Sequence, residues 1–220
     1  MRIHLRTTPN NAMVLFNYQP LMVGTIHKWL GCNELHGNTA LFSFSWLLNA
    51  KAGSDGLYFP DGAKFFISFF DDHYMKQVIR TILCEPEMFN GMSVIDVTIQ
   101  EEPDFSNQTL FRCASPIFLK NSPDRNDGKH YTFEDEESGK LLTDKLLYKM
   151  DIAGLHRDES LSIRFDTTYQ ARRTKVIHYK KIGNRASLCP VIIEGKRDTK
   201  AFAWNVGLGN STGIGFGAIY

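Results

Sequence analysis

The chain opens on an alternation. In MRIHLRT, Ile3 and Leu5 fall on one side and Arg2, His4 and Arg6 on the other, the period of two that marks a half-buried strand. After the turn residues TPNN the period changes: Leu21, Met22, Thr25, Ile26 and Trp29 recur at helical spacing through 19–31 and stop at Gly31. Alternation returns at 40–48, where Phe42, Phe44 and Trp46 oppose Leu41, Ser43 and Ser45. GSDGLYFPDG is turn chemistry, and KFFISFF (64–70) reads as a buried strand. Met75, Val78, Ile79 and Ile82 predict a helix over 71–89, ended near Pro86, and MSVIDVTIQ (92–100) alternates once more. Strand, helix, strand, strand, helix, strand is the order of a ferredoxin-like unit, which closes near residue 101.

The second half resembles another copy. LFRCASPIFLK (110–120) is a strand, 139–150 is helical, LSIRF, TKVIHYKK and LCPVIIEG are strands, 197–206 is helical and GIGFGAIY is a last strand. The surplus of strands blurs the order there. The predicted class is α+β, with two tandem ferredoxin-like (RRM-like) domains at 1–103 and 108–220. The acidic, turn-rich EEPDFSN joins them, and SPDRNDGKHYTFEDEESGK (122–140) reads as a polar insertion.

Charge narrows the choice of partner. Lys and Arg number 25 against 24 Asp and Glu, so the total of +1 announces no polyanion, and one would need a local basic face. One stretch supplies it. RFDTTYQARRTKVIHYKKIGNR (164–185) carries Arg172, Arg173, Lys175, Lys180 and Lys181, interleaved with Tyr169 and Tyr179 and opposed by Asp166 alone. It is either a solvated hairpin or a surface for phosphates and stacked bases. The four cysteines contain no C-x-x-C pair and read as reduced thiols. The histidines show no metal-ligand spacing, so neither metal nor cofactor is expected. No apolar run approaches the ~20 residues of a membrane span, which makes a cytoplasmic protein the default.

Five of the 17 glycines lie in VGLGNSTGIGFGAIY: Gly207, Gly209, Gly213, Gly215 and Gly217. A dinucleotide fingerprint fails because the stretch does not open a βαβ unit, and a P-loop fails because no Gly-Lys-Ser/Thr follows. Two readings stay open. The glycines make a tight turn before a final strand, or they let backbone N–H groups lie against a polyanion.

This stretch resembles the glycine-rich loop of the CRISPR-associated endoribonucleases that cut precursor repeat RNA, Cas family six of the repeat-associated mysterious protein superfamily. FNYQPLMVGTIHKWL is similar to that family's N-terminal helix, and ELHGNTALFSFSWL to its L-H-x-x-G…F-T-F-S stretch. SPIFLK and LLTDKLLYKM match the start of its second domain. The resemblance implies metal-independent cleavage in which a ribose 2′-hydroxyl attacks the adjacent phosphate, leaving a 2′,3′-cyclic phosphate and a 5′-hydroxyl.

That chemistry asks for a base, an acid and donors to the extra phosphate charge, and histidine suits the first two near neutrality. His36 stands at the family's LH position, and His27 at the place of a tyrosine or second histidine. The family's lysine before the first Phe is replaced here by Ala40, with Lys28 and Lys51 as the nearby lysines. The glycines and the basic stretch would hold RNA. Implied partners are CRISPR repeat RNA, with CRISPR effector-complex subunits or a second copy of the chain beyond it. Two other classes remain: a non-catalytic RNA-binding subunit, which the missing lysine favours, and a small-molecule-binding ferredoxin-like protein, which the basic stretch disfavours.

Overall fold

A computed structural model describes residues 1–31, 39–121 and 128–220. The first unit comprises β1 (Arg2–Thr7), β2 (Val14–Leu15), α1 (Gln19–Leu30), β3 (Phe42–Phe44), β4 (Lys51–Ala52), β5 (Gly56–Tyr58), β6 (Lys64–Phe69), α2 (Asp72–Cys84) and β7 (Val94–Gln100). Its main sheet is antiparallel in the order β3-β6-β1-β7, the ferredoxin-like arrangement, while β2, β5 and β4 form a small sheet, with β5 inside the stretch expected as turns.

Register decides which side chains are buried. Ile3 and Phe44 both lie opposite Ile67, so the apolar halves of these alternations share one face, while Ile99, opposite Ile3 on edge strand β7, stays exposed. That face packs with Met22, Ile26 and Trp29 of α1 and Met75, Val78 and Ile82 of α2 in a single core. The Asp71 carboxylate caps α2 by accepting from His73 N at 2.8 Å. α2 stops at Cys84, short of the expected 89. Glu85 N closes on Thr81 O, and Pro86 forbids another turn.

The second unit holds β8 (Leu110–Phe111), β9 (Ile117–Lys120), β10 (His130–Tyr131), α3 (Ser138–Ile152), β11 (Ser162–Phe165), β12 (Arg173–Tyr179), β13 (Ile182–Leu188), β14 (Val191–Glu194) and α4 (Arg197–Val206). One sheet runs β11-β14-β8, extended by residues 218–220 through Arg112 N to Tyr220 O (2.9 Å) and Ala114 N to Ala218 O (2.8 Å). This is again the ferredoxin-like order. A second sheet, β10-β9-β13-β12, arises because the β12–β13 hairpin is inserted between β11 and β14. The strand expected at 110–120 therefore breaks around Pro116 and serves both sheets. Only 218–220 of the expected last strand pair; Thr212–Ile214 form a 3₁₀ turn instead.

The polar face of the first sheet is solvated at His4 and Arg6 but covered at its other end. Arg2, Ser43 and Ser68 align across β1, β3 and β6, and all are buried against α4. The Arg2 guanidinium lies between the Phe66 and Trp204 rings, 3.6 and 3.7 Å from their centroids. It donates to Ser68 Oγ (2.6 Å), Trp204 O (3.0 Å) and Ile219 O (2.8 Å). Burial pushes its pKa down to about 8, which still leaves it charged at pH 7. Arg2→Leu is expected to cost about 3 kcal/mol or more, since three buried acceptors lose their donor. Arg2→Lys should recover little, because an ammonium cannot lie flat between two rings. Urea midpoints measure both.

Candidate functional site

The glycine stretch begins where α4 ends. Gly207 takes φ +71°, and its N–H closes on Ala203 O. Leu208 N then donates to Gly217 O, Asn210 N to Phe118 O, and Gly217 N to Pro116 O, so the loop folds onto itself and onto β9. A Cβ on Gly217 would stand 1.9 Å from Leu208 O, and one on Gly209 2.4 Å from Phe118 O. On Gly213 it would meet Ala40 Cβ at 2.8 Å, and on Gly215 the Phe44 ring and Gln19 Nε2 at 2.9 Å. Gln19 Nε2 also donates to Ile214 O and Gly215 O, both at 3.1 Å. Each of these missing side chains thus faces protein, and Gly207, Gly209, Gly215 and Gly217 also need positive φ. What the loop leaves open is its tip at Asn210 and exposed Ser211.

Lys149 of α3 holds this loop from below. It is buried, and Nζ donates to Val206 O (3.2 Å), Gly207 O (3.1 Å) and Thr212 Oγ1 (3.2 Å). Thr212 Oγ1 in turn donates to Ala40 O at 3.5 Å, which brings an ammonium within one hydroxyl of the segment that carries Ala40. Burial, with Lys145 adding repulsion, pulls the Lys149 pKa down to about 7. Sequence reasoning passed over this residue. The signal was present: Lys149 follows Leu142 and Leu146 at the core spacing of α3, where a solvated lysine would not fall.

Of the two candidate histidines, His36 lies outside the described residues. His27 sits half-buried in the last turn of α1, beside Lys28, whose Nζ donates to Glu87 O at 2.6 Å. Lys28 is thereby turned to the α2–β7 connection, while Lys51 is exposed on β4. Among the described residues no group of three His, Cys, Asp or Glu side chains could hold a metal ion, and no helix is long and apolar enough to cross a membrane.

The basic stretch forms the β12–β13 hairpin, with Lys180 (φ +55°) and Lys181 at its tip. Strand alternation divides its cations between two faces. Arg173 and Lys175 share a face with Ile177, which packs on Phe216 and Phe118. Arg172 is on the other face, 5.8 Å from the Phe133 ring. Arg164 and Arg185 pair with Glu194 and Glu134, but among the described residues none of Arg172, Arg173, Lys175, Lys180 and Lys181 is ion-paired. Five uncompensated cations on one hairpin are a local positive field that a net charge of +1 hides.

The sequence profile described as CRISPR associated protein Cas6, C-terminal, matches residues 100–220, a span that includes Lys149, the hairpin and the glycine loop. The chain belongs to the Cas6 family. A Cas6-related protein from Pyrococcus furiosus superposes with a TM-score of 0.85 at 22% identity, over 100% of this chain and 97% of that one. A RAMP protein described as binding different RNA substrates gives 0.85 at 20%, over 100% and 98%. A Cas6 product complex gives 0.68 at 12%, over 100% and 98%. These likenesses show the Cas6 fold, two ferredoxin-like units in tandem. No match was found among curated proteins.

Two outcomes follow from the packing. Gly217→Ala and Gly209→Ala should each lower the melting temperature well below that of Gly213→Ala. The first two force a Cβ against backbone oxygen at positive φ, whereas the third meets only side-chain carbons of Ala40 and Phe42. Calorimetry of the three variants decides it. The second outcome concerns pH. The folded Lys149 pKa of about 7 lies below its ordinary 10.5, so folding releases a proton between those values and stability rises with pH there. Between about pH 7 and 8.5, wild-type stability should increase by roughly 1.5 kcal/mol more than that of Lys149→Met. Equal slopes in urea titrations would refute the assignment.

Proposed function

We propose that this Cas6-family chain is a cytoplasmic, metal-independent endoribonuclease that cuts CRISPR precursor RNA within its repeats. The observation that carries the reading is the family match over 100–220, which spans the hairpin with its five uncompensated cations. In this reading the scissile ribose supplies the nucleophile. Its 2′-oxygen attacks the adjacent phosphorus, the bond to the 5′-oxygen breaks, and a 2′,3′-cyclic phosphate and a 5′-hydroxyl result. His36 is the first choice to take the 2′ proton or to protonate the leaving oxygen, and His27 the second. Arg172, Arg173, Lys175, Lys180 and Lys181 bind the phosphate backbone. Gly207, Gly209, Gly213, Gly215 and Gly217 contribute by setting the shape of the loop whose tip at Asn210 and Ser211 meets the RNA.

One observation favours a second reading, an RNA-binding subunit of a CRISPR complex that does not cut. Ala40 replaces the family lysine, and the ammonium closest to it through bonds, that of Lys149, is buried with three acceptors already engaged. A single experiment separates the two. Purified protein with its host's repeat RNA in chelator should cut, and a 2′-deoxy substitution at the scissile nucleotide should abolish cutting while binding persists. His36→Ala should slow the reaction by about 10²–10⁴ with little change in affinity, and His27→Ala by as much or less. Binding without cleavage selects the second reading. Wild-type rates in both histidine variants refute the site.

A further inference from the structure

The chain has three tryptophans, and two of them are core residues: Trp29 is 0% exposed and Trp204 2%. Trp46 is different. It sits at the seam between the two units, with its backbone N–H donating to Ala114 O at 3.1 Å. It packs from one side on the small cluster of Phe118, Ile177, Ala186 and Phe216, yet remains half-buried. Lys175 Nζ stands 5.0 Å from the indole centroid. Lys175 itself is exposed on β12 and is one of the five cations without an ion pair. Two residues along the same face from Ile177, Tyr179 repeats the arrangement, half-buried against the first unit with Lys180 Nζ 5.9 Å from its ring.

An exposed cation over an aromatic face holds it weakly, whereas a nucleobase stacked on the same face binds more strongly and without regard to its identity. A base can therefore displace the ammonium, and the freed Lys175 still has the phosphate beside that base to bind. We propose that Trp46 is a base-stacking residue for single-stranded RNA at the seam between the two units, with Lys175 exchanging the indole face for the adjoining phosphate. The inference rests on the RNA-binding reading above and adds to it a residue that lies outside both the histidines and the glycine loop.

Because Trp29 and Trp204 are buried, the acrylamide-accessible part of the emission reports on Trp46, and Trp46→Phe identifies its share of the rest. The probe is the host's repeat RNA carrying a 2′-deoxy group at the scissile position, so that binding is read without cutting. Wild-type emission should be quenched on titration, and the fraction accessible to acrylamide should fall. Trp46→Phe should remove that response while still binding, and Trp46→Leu should weaken binding roughly fivefold to a hundredfold. Lys175→Ala should weaken binding and reduce the salt slope by about one ion. Binding with unchanged emission and acrylamide access, or wild-type affinity in Trp46→Leu, overturns the inference and leaves the RNA-binding reading intact. No binding of repeat RNA by the wild-type protein overturns both.

Discussion

The structure depends on how the last turn of α4 is closed. A helix leaves its final four carbonyls without intrahelical donors, and buried ones must be satisfied by something else. Here the accounting is complete. Ala203 O accepts from Gly207 N, Trp204 O from Arg2, Asn205 O from Ser43 Oγ at 2.9 Å, and Val206 O from Lys149. Two of the four donors come from the first unit and one from α3. Two are basic side chains with no carboxylate beside them, Arg2 charged at pH 7 and Lys149 charged below about pH 7. Such charges are costly to bury, and the negative end of a helix, with its converging carbonyl oxygens, is a place that offsets the cost. Arg2 and Lys149 thus compensate the α4 dipole while tying it to different parts of the molecule.

The glycine loop inherits its position from this closure. Gly207 turns the chain out of α4 at φ +71°, Lys149 fixes the next carbonyl and Thr212, and Gly213 and Gly215 let the turn press on Ala40, Phe42 and Phe44. The loop is a wedge between the two units. Its contact with Ala40 explains why a small residue suits that position in this chain: the Cβ of Ala40 already lies within van der Waals reach of where a Cβ of Gly213 would be. A long side chain there would have to leave past the loop.

Much of the first unit was legible because its alternation and its helical periods are clean. Ile3, Leu5, Phe42 and Phe44 all lie on the helix-covered face, as the pattern implies. The opposite face was not legible. Arg2, Ser43 and Ser68 look like solvated positions, and only the three-dimensional approach of α4 turns them into an interface. The second unit was blurred for a different reason. A hairpin inserted between β11 and β14, and a strand that breaks at Pro116 to join two sheets, keep each local pattern intact while scrambling their order. The glycines announced a close approach and positive φ without saying to what. Sequence cannot distinguish an approach to phosphate from an approach to Phe118 O or Leu208 O, because both demand the absence of the same Cβ.

The cations of this chain divide into two physical classes, and the division bears on what the total charge means. Arg2, Lys149 and Lys200 are buried and bonded to neutral oxygens, Lys200 to Ser106 O and Gln108 O of the linker. They hold the two units together and contribute little field outside. The five unpaired cations of the hairpin are the reverse: exposed or half-exposed, without carboxylates, and carried on or beside a strand whose inner face rests on the glycine loop through Ile177 and Phe216. Lys120 and Asp158 are buried as well, and the other described residues carry 20 Lys and Arg against 20 Asp and Glu, so without its five unpaired hairpin cations the rest of that surface is mildly acidic and the hairpin field is a local exception. A polyanion approaching such a molecule is attracted at one place and repelled over much of the rest. Orientation is then built into the encounter before any base or 2′-hydroxyl is recognised.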